Sequence, residues 1–135
     1  MSGRMIFLNL PVRDLPTARA FYEALGFRVN EYSSDDEQVA VAIDDTIVVT
    51  LVTRDRFAER VGGEVGDPAR ATTVINSLTA TDRAEVDDLV ARALAAGGTS
   101  AAPARENGAA YASSFADPDG HVWEFLAMEP VHVID

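Results

Sequence analysis

Phe115-Ala116-Asp117-Pro118-Asp119-Gly120-His121-Val122-Trp123-Glu124 is the stretch that decides the fold. Its centre, Asp117 to Gly120, is a strong turn signal. Proline presets φ, aspartate side chains bond to nearby backbone N–H groups, and glycine accepts backbone conformations closed to other residues. The flanks are apolar and carry β-branched and aromatic residues. A strand is therefore predicted over 109–115 and a closing strand over 121–128. Residues 129–135 are expected to run over the surface as a tail.

Upstream of this hairpin, residues 73–80 read as a strand. Asp82 is placed to cap a helix that carries Val86, Leu89, Val90, Ala93 and Leu94 on one face, and Gly97-Gly98 ends it. Residues 99–104 read as a weak strand and 105–108 as a turn. The order is β-α-β-β-β. The first half repeats it: a strand over 5–10 that stops at Pro11, then a helix capped by Asp14, with Pro16 in its first turn, Phe21, Tyr22 and Leu25 on its apolar face, and Gly26 as its stop. Strands follow over 27–32, 38–43 and 47–53, with a turn at Asp44-Asp45-Thr46. Asp14 recurs as Asp82, Gly26 as Gly97 and Asp45 as Asp119, as expected of a duplicated module. Between the halves, a short helix over 54–61 and a glycine- and proline-rich run to Ala71 read as a connector that could form a mobile flap.

The expectation is one α+β domain over 1–135: module one about 4–54, connector about 55–71, module two about 72–129 and tail 130–135. With 47% apolar and 24% charged residues, the chain is an ordinary globular one. The absence of cysteine removes disulfides, thiolate metal ligands and a cysteine nucleophile. The N-terminal apolar run breaks at Pro11 without a small-residue cleavage site, and no apolar stretch approaches membrane-spanning length, so the cytoplasm is expected and a membrane is not. The formal charge of −11 repels phosphate backbones and argues against nucleic acid as a partner. It maintains solubility in one reading and attracts a cationic ligand in another. No phosphate-binding glycine loop and no Gly-x-Ser-x-Gly nucleophile elbow is present.

Val12-Arg13-Asp14-Leu15, Ala20-Phe21-Tyr22, Leu25-Gly26-Phe27, Ala96-Gly97-Gly98 and the 115–124 stretch, in this order, resemble the glyoxalase/bleomycin-resistance/extradiol-dioxygenase superfamily, also called the vicinal oxygen chelate superfamily. The resemblance covers roughly the whole chain. It implies two βαβββ modules forming a curled mixed sheet around a cavity, with helices on the outside. It also implies a homodimer and, in metal-bearing members, a divalent ion held by four side chains. Carried over residue by residue, the resemblance puts those ligand positions at Phe7, Thr50, Ile75 and Glu124. Phe7 and Ile75 have no lone pair, and Thr50 is a weak neutral donor, so neither metal nor other cofactor is expected.

Strand alternation gives the cavity wall. Phe7, Asn9 and Pro11 share a face, as do Val48, Thr50 and Val52; Ile75, Ser77 and Thr79; and Val122, Glu124 and Leu126. Ile6, Leu8 and Leu10 are expected against the helices. The candidate ligand-binding residues are Phe7, Asn9, Val48, Thr50, Val52, Ile75, Ser77, Val122 and Glu124, with Glu124 also the candidate catalytic residue. A carboxylate buried without a cation holds its proton more tightly, which suits a general acid or base. Two readings stay open. One is a metal-independent protein that binds a small, partly apolar molecule, such as a drug or metabolite, in the cavity between the modules. The other is a lyase, isomerase or dioxygenase-like enzyme that uses Glu124, or a metal held by residues such as His121.

Overall fold

The chain folds as the repeat requires. In the computed structural model, which describes residues 3–108 and 110–128, the first half consists of β1 (Ile6–Val12), α1 (Leu15–Ala24), β2 (Arg28–Asn30), β3 (Gln38–Asp44) and β4 (Ile47–Thr53). The helix α2 (Arg54–Val61) opens the connector, and β5 (Ile75–Thr79), α3 (Arg83–Ala95), β6 (Thr99–Asn107), β7 (Ala110–Ala116) and β8 (Val122–Met128) form the second half. The strands make two four-stranded mixed sheets, ordered β1-β4-β3-β2 and β5-β8-β7-β6, and neither closes into a barrel. In each, the first strand runs parallel to the last, and the other pairs are antiparallel. No described helix is long and apolar enough to cross a membrane.

Both major helices start where sequence chemistry places them. The Asp14 carboxylate accepts the Thr17 N–H at 3.1 Å, and the Asp82 carboxylate accepts the Glu85 N–H at 2.9 Å. Glu85 in turn reaches back to the Thr81 N–H. Several boundaries differ from the sequence reading. β1 continues through Pro11, because β1 is an edge strand and proline needs no ladder donor on its outer side. β2 stops at Asn30, whose side chain caps a short 3-10 turn over Glu31–Ser33. β5 begins only at Ile75. Residues 105–107, expected in a turn, belong to β6, which runs on until Gly108. Leu94 is 44% exposed and Ile6 51% exposed, so neither joins the core, whereas Leu8 and Leu10 do pack against it. The tail expected over 129–135, with His132, lies outside the described residues.

The two modules share one core. Phe21 and Tyr22 of α1 meet each other edge to face, and Tyr22 and Phe21 also meet Trp123 and Phe115 of the second sheet, each at 6.0 Å between ring centroids. Val86, Leu89 and Ala93 of α3 and Val49 and Leu51 of β4 complete it. Helices α1 and α3 therefore pack on one face of the two sheets, and α2 lies against the other face of β1 and β4.

One polar knot lies in this apolar mass. The Asp117 carboxylate accepts three backbone N–H bonds on Oδ1, from Asp119, Gly120 and His121, and the Tyr22 hydroxyl on Oδ2 at 2.6 Å. Trp123 Nε1 donates to the Tyr22 oxygen at 2.9 Å. Asp119 Oδ1 accepts the Arg13 N–H at 2.9 Å, which ties the turn to the β1–α1 junction. Burial pushes the Asp117 carboxyl above the usual carboxylate range, against the pull of His121 and of the Tyr22 hydrogen bond. The Tyr22 phenol is held well above its ordinary value, by burial first and by Asp117 second. Tyr22→Phe removes one hydroxyl but leaves two buried groups, Asp117 Oδ2 and Trp123 Nε1, short of a partner. The expected destabilisation is about 1–3 kcal/mol in urea unfolding. A change below about 0.5 kcal/mol, the level of a neutral surface substitution, would show that the knot contributes nothing.

Candidate functional site

Strand register sets the open faces. In the first sheet Phe7 stands beside Val48, Asn9 beside Thr50, and Pro11 beside Val52. In the second, Ile75 stands beside Val122, Ser77 beside Glu124, and Thr79 beside Leu126. The residues of the expected wall therefore share the face of each sheet that points away from α1 and α3, and the two sheets are register-equivalent: the Asn9–Thr50 row corresponds to the Ser77–Glu124 row. The structure brings the residues together within each sheet. Phe7 and Ile75 are 56% and 60% exposed, whereas Thr50 and Val52 are buried.

The second face carries a cluster whose central member the sequence reading missed. Glu124 Oε1 accepts the Ser77 hydroxyl at 3.0 Å, and Glu124 Oε2 accepts Arg105 Nη2 at 2.9 Å. Arg105 stands on β6 beside Ala112 of β7, so its side chain must cross β7, a reach of about two strand spacings, ~10 Å. The β7 residues on that face are Ala112 and Ser114, small enough to leave the path clear. Glu124 is 18% exposed and Arg105 is 62% exposed. The premise that Glu124 is buried without a cation is thus corrected: it has one. The signal was in the sequence, since Asn107-Gly108 is a strong hairpin turn, and a strand that runs up to it must contain Arg105.

On the first face, Arg60 of α2 donates to Asn9 Oδ1 at 2.8 Å. His121 lies away from Glu124. Its Nε2 stands 2.8 Å from the Pro11 carbonyl oxygen, where it donates and helps close the β1 end of the fold. Tyr22, Phe115 and Trp123 are core, and Tyr111 donates its hydroxyl to Asp87 of α3 on the helix side.

The four positions that the resemblance marks for metal ligation do not suit a divalent ion. Glu124 is their one strong donor, and a guanidinium already occupies its Oε2. Among the described residues, no group of three His, Cys, Asp or Glu side chains is placed to hold a metal.

A separate cleft of about 450 Å³ runs beside β1. It takes Asn9 and Val122 from the expected wall, together with His121, Phe57 and connector residues including Pro68 and Val74. The connector makes several polar contacts. Arg54 donates to the Val65 and Gly66 carbonyls, and Arg13 bonds Asp67 at 2.7 Å. The chain passes so close to Gly120, at φ +103°, that a Cβ there would lie 2.6 Å from the Ala69 nitrogen.

Comparison with known proteins agrees with this geometry. A family model described as Glyoxalase/Bleomycin resistance protein/Dioxygenase superfamily matches residues 4–125. A hypothetical protein from S. aureus is 31% identical over 94% of this chain and 94% of its own, with a TM-score of 0.79. A glyoxalase-related enzyme from Fulvimarina pelagi is 25% identical, with 96% of this chain and 93% of its own covered and a TM-score of 0.80. The fosfomycin resistance protein FosX from Listeria monocytogenes, 21% identical with 96% of each chain covered and a TM-score of 0.68, shares the fold. The comparison with curated proteins gave no match. From the donor set at Glu124, protein purified without chelator or tag is expected to carry far less than one divalent ion per chain by elemental analysis. A stoichiometric ion would overturn that reading of the site.

Proposed function

The chain belongs to the glyoxalase/bleomycin resistance protein/dioxygenase superfamily, and from that premise we propose that it is a cytoplasmic homodimer that binds a small organic molecule on its open sheet faces without a metal ion. The observation that carries this reading is the Arg105–Glu124–Ser77 cluster. It sets a few convergent polar groups in a wall of Val122, Leu126, Ala112 and Ile75. That mixture of apolar lining and sparse, directed polar groups is what small-molecule sites use. Isothermal titration calorimetry with a panel of small aromatic and aliphatic metabolites and drugs is expected to find at least one binder. Absence of heat across the panel at millimolar ligand would end the proposal.

A second reading rests on Glu124 itself. A carboxylate little exposed in an apolar wall, and steadied by Ser77, is placed to take a proton from a bound ligand. Glu124→Gln separates the two. A proton-transfer enzyme should lose most turnover while it still binds ligand, whereas a binding protein has no turnover to lose.

The homodimer is supported by exposed apolar side chains along two edge strands: Met5, Ile6 and Phe7 at β1, and Val74 and Ile75 at β5. Unpaired edges lined with large apolar residues are usually covered. Light scattering should give twice the 14.5 kDa chain mass. A 14.5 kDa particle would remove the dimer from the proposal.

A further inference from the structure

The open faces do not share the acidic balance of the whole chain: the first carries Arg28, and on the second Arg105 balances Glu124. The protein carries a formal net charge of −11. Yet among the described strand residues that register places on the open faces, the charged ones are Arg28, Arg105 and Glu124. Arg60 adds a further guanidinium from α2 at the Asn9 row. Arginines therefore reach the register-equivalent central rows of both sheets, Arg60 at Asn9–Thr50 and Arg105 at Ser77–Glu124.

Each guanidinium is only partly used. Arg105 gives one N–H to Glu124, and Arg60 gives one to Asn9. A guanidinium has five N–H donors in a planar fork, cannot be deprotonated in this setting, and matches the two oxygens of a carboxylate or the oxygens of a phosphonate. The carboxylate of Glu124 draws Arg105 over β7, so the guanidinium already lies over this face.

We propose that the open face of the second sheet is a site for a small organic anion, a molecule with an apolar body and a carboxylate or other oxyanion, and that Arg105 is the residue that reads the charge. This deepens the small-molecule reading above and rests on it. Arg105 supplies the positive charge, Glu124 and Ser77 position it, and Val122, Leu126 and Ile75 meet the apolar body. No bond is made or broken.

Three probes of one shape test it: benzoate, benzamide and benzylamine, titrated into ¹⁵N-labelled protein and followed by NMR, with Arg105→Gln and Arg105→Lys as variants. Benzoate should shift the amides of β7 and β8 and bind more tightly than the other two. Arg105→Gln should weaken benzoate about tenfold to a hundredfold while benzamide changes little, and Arg105→Lys should recover only part of the loss. Arg105 is exposed, so the variants are expected to fold, and unchanged spectra away from β6–β8 verify this. Equal binding of benzoate and benzamide, or preference for benzylamine, overturns the anion site while the small-molecule reading stands. If none of the probes perturbs the open faces up to millimolar concentration, the small-molecule reading falls with it.

Discussion

The Asp117 carboxylate is the constraint on which the rest of the structure depends. It does two jobs with two oxygens. Oδ1 closes the turn between β7 and β8 through three backbone N–H groups, and Oδ2 receives the Tyr22 hydroxyl from the other module. Because β8 pairs with β5 on one side and β7 on the other, the geometry of this turn fixes the register of the whole second sheet. Because Tyr22 belongs to α1, the same carboxylate also sets how the first module docks on it. A buried polar network of this sort is favourable only when every member is satisfied. Here no buried side-chain nitrogen or oxygen among the described residues lacks a partner.

That constraint explains which parts of the fold were legible in the sequence. Asp14, Asp82, Gly26 and the 117–120 turn declare themselves locally, because a cap or a turn is a short-range event. Alternation then places Phe7, Asn9, Val48, Thr50, Val52, Ile75, Ser77, Val122 and Glu124 on the faces that point away from α1 and α3. The errors fall where a decision is not local. Pro11 looked like a strand end, yet at a sheet edge it costs no hydrogen bond. Residues 105–108 looked like a turn after a weak strand over 99–104, yet β6 continues to Asn107, and as an edge strand it accommodates Pro103. That second error carried Arg105 out of view and with it the partner of Glu124.

The partner changes what Glu124 means. A single carboxylate in an apolar wall invites two ideas, a metal ligand or a proton carrier. With Arg105 bonded to it, the site is an ion pair rather than a lone acid. Removing Arg105 leaves the little-exposed Glu124 carboxylate without its cation, so the two are best regarded as one unit. Arg105 is more than half exposed, and solvent screening limits what the pair contributes to stability. Its value lies in orientation: it fixes where a positive charge stands on the face.

Global and local electrostatics then act at different ranges. The net charge of −11 acts over distances up to a Debye length, ~10 Å at 0.1 M salt, and slows the approach of any anion. Within hydrogen-bond distance the guanidinium fork prevails, because a charge-assisted bidentate contact is short and directional, whereas the net charge acts diffusely across the surface. The acidic exterior and the arginine-bearing faces are therefore compatible. One acts diffusely over the surface, and the other acts at contact distance on the sheet. A cation drawn in by the outer field would meet Arg105 and Arg60 at the central rows, with Glu124 already committed to Arg105. The same ion pair thus disfavours a cationic ligand, and it adds to what Phe7, Ile75 and Thr50 already withhold from a divalent metal.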